Sequence, residues 1–179
     1  MTKDCKEVFC DIYKRKIWGD GSGGGSAPDV AAPYIRFVEA YLIFPSFPFS
    51  PLDVGTVLDI GCGDGVIAAR IDWKGWTYFG VDAAQGFDAL TDELPEADLI
   101  LCKEVLQHLS NEQVQLLLDR TARYPRRLFT NTCHESLPVN TDITTGDCRA
   151  VDLTLPPFSQ SAKTVFKYGH WIVQELTNP

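Results

Sequence analysis

Apolar positions recur with two different periods along the 179 residues. Between residues 3 and 17, Val8, Phe9, Ile12, Tyr13 and Ile17 fall at helical spacing and predict an amphipathic helix. A glycine-rich interruption, GDGSGGGS at 19–26, follows it, and Tyr34, Phe37, Val38 and Tyr41 then repeat at i, i+3, i+4, i+7. This second helix is expected to start at Ser26 as N-cap, with Pro28 in its first turn, and to end before Pro45, Pro48 and Pro51. From Thr56 onward short apolar runs alternate with helical ones. TVLDI (56–60), TYFGVD (77–82), ADLILC (97–102) and RLFTNT (127–132) read as strands, and VIAARI (66–71) and 111–123 as helices. Ser110 and Gln113 are spaced as a capping box for the helix at 111–123, with Leu109 and Val114 as its staple. TVFK and HWIVQEL, near the C-terminal end, predict an antiparallel pair.

Strands alternating with helices imply an α/β fold with a doubly wound, mostly parallel open sheet, helices on both faces and an antiparallel C-terminal strand. Residues 1–179 are expected to form a single domain, with a helical cap and glycine-rich lid in 1–50 and the sheet core in 55–179. Only five residues separate Asp82 from Asp88, too few for a crossover helix plus a further strand. The region between the second and third strands is therefore expected to be shortened to a loop.

Composition narrows the function classes. The chain is 45% hydrophobic and 22% charged, with 24 acidic against 16 basic residues and a net charge of −8. Such a balance argues against a partner bound through a phosphate backbone, so no nucleic acid is expected. No segment approaches the roughly 18 apolar residues of a membrane helix, and MTKDCKEVFC lacks the apolar core of a signal peptide. No membrane partner is expected, and the expected location is cytoplasmic. The six cysteines (5, 10, 62, 102, 133 and 148) form no C-x-x-C pair and have no histidines at zinc spacing, so reduced thiols and no metal are expected.

The chemistry concentrates in Val57-Leu58-Asp59-Ile60-Gly61-Cys62-Gly63-Asp64-Gly65. Glycines directly after a buried strand let the backbone turn sharply and a ligand approach closely. A dinucleotide fingerprint, G-x-G-x-x-G, would need glycine where Val66 stands, and no Y-x-x-x-K pair is present, which disfavours a nicotinamide oxidoreductase. Nor does G-K-[ST] follow the glycines at 19–26, which excludes a P-loop kinase. What the segment offers is D-x-G-x-G-x-G, whose acid suits a cationic amine better than a pyrophosphate.

That segment resembles the first motif of class I S-adenosylmethionine (SAM)-dependent methyltransferases, which implies a Rossmann-like fold and SAM as cofactor, with S-adenosylhomocysteine (SAH) as product. The resemblance implies that Gly61, Cys62, Gly63 and Gly65 cradle the cofactor, with Asp59 near its methionine amino group. Asp82, 23 residues beyond Asp59, ends the next strand beside Ala83, where the family's acid accepts the ribose hydroxyls. Asp88 and Ala89 correspond to the family's adenine contacts. ADLILCKEVLQHL (97–109) resembles the strand that flanks the transferring methyl and puts Lys103 and Glu104 within reach of cofactor or acceptor. WGDGSGGGS, the Leu94-Pro95-x-Ala97-Asp98 run and TTGDCRAVDLTLPPF are similar to a smaller bacterial and viral subgroup of that superfamily, which names the cofactor and no acceptor. The stretch at 19–26 is either a linker or a lid in which Trp18, Gly23 and Ser26 close over the cofactor.

A hydroxyl or amine acceptor must lose a proton, and the candidate bases are His108, His134 and, near the strand end, Glu104. His108 has a second reading, as a residue that packs or caps the start of the helix at 111–123. Asp142, Thr145 and Arg149 sit in a polar loop that could bind an acceptor, whereas Trp73, Trp76 and Tyr78 read as packing residues. Lys103-Glu104-Val105-Leu106 replaces the Asn/Asp-Pro-Pro-Tyr/Phe tetrapeptide by which amino-methylating DNA enzymes resemble one another. The expected activity is methyl transfer to an oxygen or nitrogen of a small polar molecule such as a sugar or other metabolite. The alternative, kept open by the shortened region, is a non-catalytic SAM-binding or partner protein.

Overall fold

A computed structural model of the chain describes residues 4–43, 54–133 and 139–177. Pro45, Pro48, Pro51 and His134 lie outside the described residues. Among the described residues there are three α-helices, α1 (Cys5–Lys14), α2 (Pro28–Ile43) and α3 (Asn111–Thr121). The strands are β1 (Thr56–Ile60), β2 (Thr77–Val81), β3 (Leu99–Lys103), β4 (Arg126–Thr132), β5 (Lys163–Tyr168) and β6 (Trp171–Thr177). They make one mixed sheet in the order β2-β1-β3-β4-β6-β5. β1 to β4 run parallel, and β6 pairs antiparallel with both β4 and β5. This is the Rossmann-like α/β arrangement, with the strand order reversing at β1. No helix among the described residues is long and apolar enough to cross a membrane.

Alternation along the strands divides the core. Val57, Leu99, Leu101, Leu128 and Val173 pack under α2 with its Ala31, Tyr34 and Val38. Leu58, Ile60, Ile100, Cys102 and Phe129 face the other way, against α1 and α3. Central strands buried on both sides are what continuous apolar runs such as LILC encode. The expected capping box closes the start of α3: the Ser110 hydroxyl accepts from the Gln113 N–H, and the Gln113 side chain accepts from the Ser110 N–H.

Three local expectations are corrected. Residues 66–71 form no α-helix, only a 3-10 turn at Ala68–Arg70. One i→i−4 bond forms there, from Ala69 N–H to the Gly65 carbonyl, and the Trp73 indole N–H then takes the carbonyl of Ala68. A six-residue run rich in β-branched side chains cannot carry the cost of helix nucleation. Next, α2 starts at Pro28 rather than from a Ser26 cap, because Gly24–Ser26 close their own 3-10 turn. Ala27 is extended, its carbonyl accepting the Ala31 N–H, and Pro28 takes the first helical position. Finally, α1 stops at Lys14, so Ile17 falls off the apolar stripe and is exposed.

The shortened connection is present: residues 82–98 cross from β2 to β3 with a single 3-10 turn at Ala83–Gln85. α1 lies against that turn, with the Cys10 thiol on the Ala84 carbonyl at 3.5 Å and Lys6 paired to Asp92 at 2.8 Å.

Candidate functional site

The carboxyl ends of β1, β2 and β3 meet at the switch point of the sheet and open into a cavity of about 330 Å³. Ligands of open α/β sheets bind at this place. α1 and the 18–26 segment roof it. Gly61, Cys62 and Gly63 form its floor, and Asp59, Asp82 and Asp88 stand around it.

The glycines are there for backbone reasons. Gly61 and Gly63 have φ of +77° and +62°, which disfavours any side chain. A Cβ on Gly61 would lie 2.1 Å from Val105 Cγ2, and one on Gly63 would lie 2.1 Å from the Ser22 hydroxyl. Gly65 differs from the expectation. It has φ of +77° and closes the turn through its N–H to the Cys62 carbonyl, but it does not line the cavity.

Each carboxylate has its own setting. Asp82 Oδ2 accepts from the Gly63 N–H at 2.9 Å and Oδ1 from the Ala84 N–H at 2.8 Å, so the end of β2 is tied to the glycine turn. Burial raises its pKa, and those two backbone bonds oppose the rise. Asp88, beside Ala89 on the cavity wall, is likewise raised by burial, and its Oδ1 accepts the Leu90 N–H. Removal from water pushes Asp59 up to about 6, against the pull of the Tyr78 hydroxyl and of Lys103. Tyr78 donates to Asp59 Oδ2 at 3.0 Å. That bond makes Tyr78 more than the packing residue expected. Its ring crosses Gly80, where a Cβ would meet the phenol oxygen at 2.6 Å. Glycine inside a strand marks such a close approach, and Gly80 is the signal that could have shown it.

The far wall is built after β3. Glu104 has φ of +57°, held by its N–H to the Thr130 carbonyl at 2.7 Å. Its carboxylate pairs with Lys103 and accepts the Trp171 indole N–H at 2.8 Å. Lys103 also donates to the Gly25 carbonyl at 3.1 Å and lies over the Tyr34 ring. Trp18, Gly23 and Ser26 line the roof. The Ser22 hydroxyl accepts from the Asp64 N–H at 2.9 Å and from the Tyr13 hydroxyl, pinning this segment to the glycine turn. So 19–26 is a folded cover rather than a loose linker.

His108 lines the same cavity. Its Nδ1 lies 2.8 Å from the Asp147 carbonyl, and a carbonyl only accepts, so Nδ1 carries the proton and Nε2 the lone pair. Burial lowers its pKa, countered by the bond to Asp147 and by the charge of Glu104. Asp142, Thr145 and Arg149, in the polar loop that could bind an acceptor, do not line the cavity and bond to the start of α3. Asp142 accepts the Asn111 N–H at the start of α3, Thr145 donates to Gln113, and Arg149 donates to Asn111 and to the Leu109 carbonyl. Together they fasten the 139–150 loop to α3. Cavity residues that pattern reading missed include Tyr13, Phe87 and Gln107, whose spacing looks like ordinary helix or loop sequence.

Residues 33–134 match a family model described as a methyltransferase domain. No curated protein matches the chain. Among solved structures, it is similar to magnesium protoporphyrin IX methyltransferase from Synechocystis PCC 6803 with bound SAM, at 16% identity, TM-score 0.61 and 99% coverage of each chain. A second is Burkholderia thailandensis 1,6-didemethyltoxoflavin-N1-methyltransferase, at 16% identity and TM-score 0.59, covering 95% of this chain and 85% of that one. A third is human N-acetylserotonin methyltransferase in complex with SAM, at 17% identity and TM-score 0.56, covering 98% of this chain and 60% of that one. At such identities the likeness is one of fold.

Proposed function

The chain belongs to the methyltransferase-domain family, and from that premise we propose that it moves a methyl group from SAM to an oxygen or nitrogen of a small polar acceptor, with His108 as general base. The observation that carries this reading is the cradle: two glycines at positive φ, set between an acid on β1 and an acid closing β2. The residues present fit SAM. Asp59, desolvated and close to a lysine, gains from a cationic amine brought beside it. Asp82 spends one bond on each oxygen, and a carboxylate has roughly four lone-pair sites, so ribose hydroxyls can add to those already held. Asp88 and Ala89 would face the adenine amino group, with Cys62, Gly63 and Ala83 along the nucleoside. Trp18, Gly23, Ser26 and Lys103 would cover the methionine end.

When bound, SAM supplies an electrophilic methyl carbon on a sulfonium, a leaving group that needs no acid. What remains for the chain is alignment, exclusion of water and removal of one proton. The 18–26 cover and α1 exclude water. His108 stays neutral near pH 7 because burial lowers its pKa, and Nε2, which the Gln107 amide nitrogen faces at 3.4 Å, is the atom that gives up that long contact to take the acceptor's proton. Glu104 then faces the imidazolium and offsets its charge. The shortened 82–98 connection, which motivated the non-catalytic alternative, leaves Asp82, Asp88 and Ala89 on the cavity wall. A small acceptor is supported by the neighbours, which are named for small molecules, and by the net charge of −8.

The test is calorimetric titration with SAH and SAM, with NAD as control. Binding of the first two alone is expected, and its loss in Asp82→Ala. Binding of NAD instead, or of none, would defeat the reading. With an acceptor found by screening hydroxyl and amino metabolites, His108→Ala is expected to keep SAH affinity and slow transfer by about 100-fold or more. Unchanged transfer would remove His108 as the base.

A further inference from the structure

Trp18 belongs to no regular element, yet its half-buried indole meets the rings of Phe9, Tyr13 and His108 beside the cavity. Its ring centroid lies 5.9 Å from both Phe9 and Tyr13 of α1, and 4.5 Å from the His108 imidazole with 34° between the planes. The chain then doubles back over it, so that a Cβ on Gly23 would lie 3.3 Å from Trp18 Cβ. One residue before that glycine, Ser22 is bonded to Asp64 on the glycine turn and to Tyr13. Two residues after it, the Gly25 carbonyl takes the Lys103 ammonium. The segment that touches the glycine turn and the end of β3 therefore also presses an indole on the imidazole.

We infer that Trp18 is a positioning residue: closure of the 18–26 segment over the cavity clamps the His108 ring between the indole face and the Asp147 carbonyl, so that covering the cofactor site and setting the base are one event. The inference rests on the proposed role of His108. The carbonyl holds the imidazole at one edge, through Nδ1, and the Gln107 amide nitrogen stands 3.4 Å from Nε2 at the other, but neither contact bears on the face of the ring. The indole supplies that restraint. It also keeps water from the ring. The groups that meet the imidazole from each packed element are few among the described residues: Glu104 from the end of β3, the Gln107 amide at 3.4 Å, the Asp147 carbonyl from the 139–150 loop, and the neutral indole from the cover. Glu104 and the carbonyl favour the imidazolium; desolvation, to which the indole contributes, outweighs them.

The experiment is an NMR titration of the His108 ring, assigned with His108→Ala, in the wild-type chain and in Trp18→Phe, Trp18→Leu and Trp18→Ala, each with and without SAH. Wild-type His108 is expected to titrate below the ordinary histidine value of about 6.5, and lower still with SAH. In Trp18→Ala it is expected to move up by about half a unit to one unit and to lose its response to SAH, with Trp18→Phe between the two. Trp18→Leu preserves apolar bulk and carries the test if the alanine variant does not fold; it is expected to lose the response to SAH as well. A His108 titration that stays put or falls in these variants overturns the inference. The underlying reading fails separately: if SAH does not bind the wild-type chain while Trp18→Ala still raises the His108 pKa, the clamp stands without the cofactor. If the clamp stands but His108→Ala leaves transfer intact, the base assignment is at fault.

Discussion

The two halves of the parallel sheet are covered in opposite ways. Between β3 and β4 the chain forms α3, which carries its own capping box and buries Val114, Leu117 and Leu118 directly on the strands it connects. Between β1 and β2, and again between β2 and β3, the described crossovers contain only 3-10 turns. There the cover comes from far away in sequence. α2 closes over Val57, Ile71 and Trp76, and α1 lies on the turn after β2. On the face that α3 covers, this half is locally self-sufficient, although α2 packs on the other face of β3, β4 and β6. The cavity half borrows its roof from the N-terminal region, so the element that stabilises it is the same one that encloses the site. Fold stability and ligand binding should therefore be coupled strongly on one side and weakly on the other.

That contrast can be broken first at Phe9, buried on α1 against Trp18. Phe9→Ala is expected to lower unfolding free energy by about 3–5 kcal/mol in urea titration and to abolish SAH binding in calorimetry. A stability loss of that size with SAH affinity untouched would separate roof from site. Next comes Gly61→Ala, where positive φ and the clash with Val105 together are expected to destabilise by about 2–4 kcal/mol and remove SAH binding.

Asp59→Asn acts in the opposite direction on stability. A carboxyl raised from 3.8 to about 6 destabilises the folded chain progressively as pH climbs from about 4 through 6, and fully above that. The asparagine variant is expected to gain on the order of 2 kcal/mol in unfolding free energy at pH 7, with the gain vanishing below pH 4, while SAH affinity falls. Thermal melts across pH 3.5–8 would check the window. The smallest effect belongs to the α3 half: Ser110→Ala removes the cap hydroxyl and is expected to lower stability by about 1 kcal/mol with SAH affinity unchanged.

The same division decides what could be read along the chain. β1 and β3 announce themselves as apolar runs, α3 by Ser110 and Gln113, and the cradle by the spacing of Asp59, Gly61 and Gly63; all are local signals. The helix expected at 66–71 fails because a helical pattern of six residues says nothing about whether packing will sustain it. The contacts that build the cavity half are long-range. Trp18 meets His108 across 90 positions, Lys103 reaches Gly25 across 78, and Tyr78 bonds Asp59 over Gly80. No periodicity records such meetings. The polar 139–150 loop is ambiguous for a related reason, since residues that fasten a loop to a helix start have the composition of ones that bind a polar ligand.

Among the described residues no strand lies beyond β2, which forms one edge of the sheet. TYFGV pairs only with β1 among the described residues, and Phe79 is 49% exposed along it. Its five residues include neither lysine nor proline, the usual guards of a free edge. Against pairing at that edge stands the mutual repulsion of copies that each carry a net charge of −8 at pH 7. This protein should be most soluble in dilute, low-salt buffer well above its pI of about 4.8, and should begin to associate through β2 as salt screens it or as acid discharges it.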